Sequence, residues 1–400
     1  MMNIHTASNA ELETRLIERT RALIPVLQAR ARASEAACSL AAETVADFRE
    51  AGLFRILQPR SAGGYGLSPH VLCKVVFEAG RGDMSAAWVL FVLALHQYEV
   101  SLMDARAQQD IWGSAADALV ASSVAPFGRL ERVEGGYRLS GRWRFSSGID
   151  HAQWVGVGGL VEVPGRPGKD FRMSLLPVGA VRIDHASWRP FALAGTGSKD
   201  FDVDGAFVPE HMTFSLIDAH DMIGQEALPA SNRYPFWVVF NAVLGAAIIG
   251  GTMGGVDEAQ EQLRDRLGSA DNGEGKQKAS DDPFVRARIA RARLIVRSAQ
   301  ARYAAIFAEM DEHIARGEPI PVASRMHYIA EFAQCGRDCE EAMLTLYKTT
   351  GGRGLSLDNR MQAILRNVLG GANHIAMNLD PMLQNLGGLL LGGAIPKVLC

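Results

Sequence analysis

Gly141-Arg142-Trp143-Arg144-Phe145-Ser146-Ser147-Gly148 drives an alternating segment straight into two hydroxyls and a glycine. Tyr137, Leu139, Trp143 and Phe145 alternate with Arg138, Ser140, Arg142 and Arg144, the period-two pattern of a half-buried strand. Small hydrogen-bonding groups at a strand end let a flat, polar ligand lie against the backbone. Two histidines stand in apolar surroundings elsewhere. His96 follows the run Trp88 to Leu95, and His374 sits in Gly370-Gly371-Ala372-Asn373-His374-Ile375-Ala376-Met377. One such histidine is ordinarily a core residue with a satisfied hydrogen bond. Two of them beside a serine-rich strand end suit the handling of an ionisable hydroxyl.

Other chemistries find little support. The ten histidines show no His-Glu-x-x-His spacing, and no Gly-x-Ser-x-Gly elbow marks an acyl-transfer nucleophile. The five cysteines (Cys38, Cys73, Cys335, Cys339 and Cys400) form no disulfide framework. Cys335 and Cys339 share a helical face without further ligands, so they read as buried thiols. Gly250-Gly251-Thr252-Met253-Gly254-Gly255 follows no strand and reads as a site of close helix–helix approach, whereas Gly351-Gly352-Arg353-Gly354 reads as a turn between helices.

The elements that must position these residues fall into three stretches. Up to about residue 117 the chain reads as helical. Ser8 to Glu11 has the form of a capping box, Leu12, Leu16, Leu23 and Leu27 recur at helical spacing, and Pro25 should kink or divide that helix. Met84 to Val100 is apolar on nearly every face. Residues 118–215 change texture to short alternating runs punctuated by glycine and proline, predicting a small antiparallel β-domain. Helical periodicity returns over 230–400, with a polar loop at Gly268 to Asp282 and a helical run from Met361 to Met377 that includes His374. This order excludes a doubly wound sheet.

Composition sets outer bounds. With 21% charged and 48% hydrophobic residues and a formal net charge of -3, the chain has no electrostatic case for nucleic acid or an anionic membrane. The Met1-Met2 start lacks a signal-peptide pattern, and the longest apolar runs, Leu244 to Met253 and Leu386 to Ile395, are glycine-broken and short for a bilayer. The expectation is a soluble, cytoplasmic protein.

Four pieces together carry a resemblance. They are Leu53-Phe54-Arg55-Ile56-Leu57-Gln58-Pro59 with Gly63-Gly64, Gly141 to Gly148, Gly195-Thr196-Gly197-Ser198, and Asn373 to Asn378. On these the whole chain resembles the acyl-CoA dehydrogenase fold, and more closely the two-component (group D) flavin-dependent monooxygenases built on it. Among their members are the hydroxylases of p-hydroxyphenylacetate and of a phenolic secosteroid. The resemblance implies an α+β, mostly α architecture: an N-terminal helical domain, a central β-domain and a C-terminal four-helix bundle. A typical dehydrogenase of this fold takes an α-proton with a glutamate at about the place of His374, yet Arg366 to Ala376 holds no carboxylate. Imidazole suits a flavin hydroperoxide or a phenol better than a weakly acidic carbon proton.

Carried over by position, the resemblance implies the following roles. Ser146 hydrogen-bonds flavin N5, with Ser147, Ser122, Trp143 and Gly352 also against the cofactor. His96 and Ser122 bind the substrate hydroxyl, with Trp88 lining the pocket, and His96 favours the phenolate. His374 helps form or position the flavin C4a-hydroperoxide, and Arg264 reaches a flavin phosphate across a subunit interface. Asn367 stands where the family often has aspartate, which puts an ion pair there in question. The implied activity is hydroxylation of a small aromatic substrate with O2, using reduced FMN or FAD from a separate NAD(P)H-dependent flavin reductase, in a homotetramer. Alternatives are an N- or S-monooxygenase acting on an amine, indole or thiophene, an acyl-CoA dehydrogenase, or a catalytically silent helical scaffold.

Overall fold

The computed structural model describes residues 8–113, 115–165, 168–222, 228–264, 266–271 and 276–393. The start at Met1 and the thiol of Cys400 therefore lie outside the described residues. Five helices lead: α1 (Asn9–Ala37), α2 (Ala42–Glu50), α3 (Pro69–Gly82), α4 (Met84–Ser101) and α5 (Ala105–Trp112). Then come β1 (Val120–Val133), β2 (Gly136–Ser146), β3 (Trp154–Glu162), β4 (Lys169–Pro177), β5 (Arg182–Asp184), β6 (Lys199–Pro209) and β7 (Thr213–Ser215). After α6 (Leu216–Asp221) and α7 (Phe236–Arg264) come β8 (Leu267–Asp271), β9 (Lys276–Lys278), α8 (Pro283–Arg316), α9 (Val322–Tyr347), α10 (Arg360–Ala372) and α11 (Leu379–Leu390).

The capping box at Ser8 forms in full, with Ser8 N donating to the Glu11 carboxylate at 2.8 Å and Glu11 N donating to Ser8 Oγ at 3.3 Å. Of the two outcomes expected at Pro25, division does not occur, and α1 runs on through it. The helix forgoes one backbone hydrogen bond there, and burial of Leu12, Leu16 and Leu27 along one face offsets the loss. All of α4 is buried, as its unbroken apolar character predicts. Its cap is Asp83, which accepts from Ser85 N and Ala86 N at 3.1 Å; burial nevertheless pushes this carboxyl up to about 6.

Helix α7 corrects a reading made on glycine content. It is continuous, and long and apolar enough to cross a membrane, but 89% of its apolar window is buried inside the protein. Its glycines meet α3 at close range. A Cβ at Gly250 would lie 2.3 Å from the Phe77 carbonyl oxygen, and one at Gly254 would lie 2.8 Å from that of Arg81. The glycine run therefore serves close helix approach, as its composition predicts. Helices α7, α8, α9 and α10 pack on one another, and α11 packs on α9.

The central sheet has the order β5-β6-β2-β1-β3-β4-β7. It is mixed rather than antiparallel, because β3 crosses from β2 to the far side of β1 and pairs with it in parallel, Ser122 opposite Gly156. Local periodicity does not report which strand becomes a neighbour. The polar stretch predicted as a loop instead contributes the β8–β9 hairpin, with Leu267 opposite Lys278 and Asp271 opposite Lys276. Its residues 272–275 lie outside the described residues.

Candidate active site

The β2 strand end owes its geometry to one extra residue. Trp143 pairs with Phe201 but Ser146 pairs with Lys199, so three steps along β2 match two along β6. Phe145 absorbs this bulge with φ at +63°. The slip inverts the expected alternation beyond it. Phe145, predicted inward, is 65% exposed and meets Trp188 edge-on, while Ser146 turns in and is fully buried. Ser146 Oγ has no hydrogen-bond partner. Trp143 is also corrected: it is not at the ligand-facing end but wholly buried in the β-domain core. There it stacks on Phe201 at 5.7 Å and donates from Nε1 to Gly158 O at 2.9 Å.

Beyond Ser146 the chain is clamped from two sides. Ser147 Oγ lies 2.7 Å from Ser198 Oγ, which lies 2.6 Å from Thr196 Oγ1, whose hydroxyl donates to Leu193 O at 2.8 Å. Gly148 adopts φ +72°, its N–H donates to Thr196 O at 2.9 Å, and a Cβ there would come to 3.2 Å from Val89 on α4. Asn367 Oδ1 accepts from Leu193 N at 2.7 Å and so shapes the same 193–198 loop, where an ion pair was in question. Ser122 is half-buried on β1, and its neighbour Ser123 donates from Oγ to Arg144 O at 2.7 Å.

Two helices and a turn complete the wall. Trp88 on α4 lies 5.8 Å, ring to ring, from His374, and Phe240 on α7 lies 6.0 Å from it. His374 falls two residues beyond α10, not within the helix expected from Met361 to Met377, because the helix stops at Ala372. It caps the short turn Ile375–Met377, with Nδ1 accepting from Ala376 N at 3.1 Å. Neutral His374 accordingly carries its proton on Nε2. Desolvation beneath the two rings pushes it down to about 4, so it is neutral near pH 7.

His96 is buried two turns along α4 from Trp88. Its Nδ1 lies 2.5 Å from Glu99 Oε2, and Glu99 Oε1 has no hydrogen-bond partner. Glu99, the partner of His96, is a residue that the sequence reading passed over. The signal was present as a histidine and a carboxylate three apart in a helix with no other acidic or basic side chain.

The remaining two predicted residues lie elsewhere. Arg264 is exposed at the far end of α7, about 36 Å along the helix from Phe240 at 1.5 Å per residue. Gly352 is exposed beside that same end, where the Thr349 and Thr350 carbonyls accept from Arg266 at 3.0 and 3.2 Å. Neither reaches the Trp88–His374 wall of its own protomer. For both, a role toward the cofactor is left only as a contact to another copy.

The residues present fit a flat cofactor with a polar edge. A buried hydroxyl without a partner, a chain of linked hydroxyls and a glycine pressed against α4 line one strand end, facing elements that bear aromatic rings. Among the described residues no group of His, Cys, Asp and Glu side chains is arranged to hold a metal.

Residues 242–379 match the family model for the acyl-CoA dehydrogenase C-terminal domain. The chain is 31% identical to the flavin-dependent monooxygenase oxygenase subunit HsaA of Rhodococcus jostii (strain RHA1), over 90% of this chain and 94% of that one. It is 29% identical to the oxygenase component of an FADH(2)-dependent resorcinol hydroxylase from Rhizobium sp. (strain MTP-10005), over 94% of each. The crystal structure of 3-HSA hydroxylase from Rhodococcus sp. RHA1 superposes with a TM-score of 0.89 and 28% identity, covering 96% of this chain and 99% of that one. With its serine-lined strand end and buried histidine on that scaffold, the chain belongs to the oxygenase components of two-component flavin-dependent monooxygenases of the acyl-CoA dehydrogenase fold.

Proposed function

We propose that the protein hydroxylates a small phenolic substrate, using reduced FMN or FAD that diffuses from a separate reductase, and that it works as a homotetramer. When bound, the reduced flavin supplies two electrons to O2, so that one oxygen atom enters the substrate and the other leaves as water. Ser146 Oγ and the Ser147–Ser198–Thr196 hydroxyls would hold its polar edge. Gly148 would let it approach the backbone, and the buried setting would exclude water. Trp88 and Phe240 would wall the aromatic substrate, with Ser122 and His96 facing its hydroxyl. Arg264 would serve a neighbouring subunit's flavin.

The observation that carries this reading is the hydrogen bond from Ala376 N to His374 Nδ1. It leaves His374 with an Nε2–H to donate and no basic nitrogen free for a substrate proton. The Arg366 to Ala376 stretch supplies no carboxylate in its place. That arrangement suits donation to an oxygen atom and not removal of a carbon proton, so it favours oxygen transfer over acyl thioester dehydrogenation.

The test uses the protein with FMNH2 or FADH2 and resorcinol under 18O2. The expected result is a hydroxylated product containing one labelled oxygen. Oxidation of an acyl thioester with an artificial acceptor under anaerobic conditions, and no label transferred to phenols, would overturn the reading.

A further inference from the structure

We propose that Glu99 is a positioning residue for His96. Its carboxylate holds the proton on Nδ1, turns Nε2 into the free acceptor, and stabilises the imidazolium formed when Nε2 takes the phenolic proton. This rests on the phenolic reading above and assigns a part to a residue that the resemblance does not mention.

The argument begins with the cost of the arrangement. Every residue of α4 is buried, and a carboxylate there must be compensated. Glu99 has one such compensation, the 2.5 Å contact to His96 Nδ1, while its other oxygen has no partner. A leucine-like residue would suit the helix better, so the contact with His96 is what the carboxylate serves. The other polar residues of this helix segment are satisfied by the scaffold itself. Gln97 Nε2 donates to Ala118 O at 3.1 Å, Gln97 Oε1 accepts from Trp112 Nε1 at 2.9 Å, and Tyr98 donates to Tyr234 O at 2.5 Å.

Geometry then sets direction. With Nδ1 engaged by an acceptor, the lone pair available to a ligand sits on Nε2. A phenol that meets Nε2 transfers its proton there, its oxygen becomes the phenolate, and the ring carbons conjugated to it gain electron density. The buried negative charge of Glu99 opposes the positive charge that appears on the imidazole, so the transfer is favoured inside the site. A carboxylate behind a histidine generally orients the ring and raises its basicity.

The experiment needs no flavin. 4-Nitrophenol is bound to the purified protein at a pH at which the free compound is mainly un-ionised, and the phenolate absorbance band of the bound form is measured. The parent should bind it largely as phenolate. Glu99→Gln preserves size and removes the charge, and should lower the bound phenolate-to-phenol ratio on the order of 10- to 100-fold. In a His96→Asn background the same substitution should cause no further fall, because the effect passes through the imidazole. An unchanged ratio in Glu99→Gln, or an equal fall without His96, would overturn the assignment. Binding of the neutral phenol alone by the parent would also overturn it. The 18O2 result would still stand or fall separately, so a failure here is distinguishable from a failure of the proposed activity.

Discussion

His96 and His374 carry the same side chain into opposite circumstances. His96 is sealed within α4, and its Nδ1 faces a carboxylate. His374 stands just beyond α10 at the start of a short turn, and its Nδ1 accepts from a backbone N–H. The first arrangement makes Nε2 an acceptor. The second makes Nε2 a donor, and desolvation separately pushes His374 down to about 4. The partner of one ring nitrogen therefore decides what the other can do. On the proposed reading the site thereby obtains a base and a hydrogen-bond donor from one residue type.

Paired substitutions break this comparison most directly. His96→Asn should lower the phenol hydroxylation rate on the order of 10²- to 10⁴-fold near neutral pH, and the loss should shrink as pH rises and the substrate ionises in solution. His374→Asn should cost on the order of 10²-fold, with no such recovery, because a donor to developing charge is missing at every pH. Product formation measured from pH 6 to 10 distinguishes them. Parallel profiles for the two variants would remove the division of labour.

Ser146→Ala probes the facing side of the site and should act more gently. Its hydroxyl has no partner within the chain, so the apo protein should lose no thermal stability and gain slightly from shedding a buried unsatisfied group. Flavin binding should weaken by about 0.5–1.5 kcal/mol, the worth of one ordinary hydrogen bond. More of the oxygen consumed should then appear as hydrogen peroxide instead of product. Calorimetric titration with reduced flavin, alongside apo melting, checks both arms. A destabilised apo protein with unchanged flavin affinity would make Ser146 a scaffold residue.

What was legible in the sequence follows from how local each cause is. The capping box at Ser8, the buried run of α4 and the glycine contacts of α7 depend on neighbours along the chain or on side-chain size, and composition reveals them. Ser146 drew notice for its hydroxyl, but its strand alternation was misread, because the bulge that turns it inward is set by pairing with β6 and by the positive φ of Phe145. The same non-local cause hid the core position of Trp143 and the parallel pairing of β1 with β3. Likewise, Gly352 resembles a ligand-binding turn in sequence, yet its distance from the site is fixed only by the length of α7. Glu99 was readable from helical spacing, but the apolar surroundings drew attention to His96 alone.

The smallest expected effect lies in acid stability, and it tests the desolvation of His374 without substrate or flavin. His374 titrates at about 4 when folded and near 6.5 in the unfolded chain, so the unfolded state takes up its proton first as pH falls. Its stabilising contribution is complete above 6.5 and is lost progressively down to about 4. His70, stacked on Phe307 and also pushed down to about 4 by burial, acts in the same sense. Asp83, raised to about 6, acts oppositely as pH falls from 6 towards its unfolded value. His374→Asn removes one of three such destabilising protonations, since burial also pushes His151 down. The melting temperature of the apo variant should therefore fall less steeply than the parent's between pH 6.5 and 4. The difference in slope is bounded by one proton, about 1.4 kcal/mol per pH unit. Identical slopes would mean that His374 meets enough water in solution to be protonated in place. The contrast with His96 would then rest on hydrogen-bond partners alone and not on desolvation.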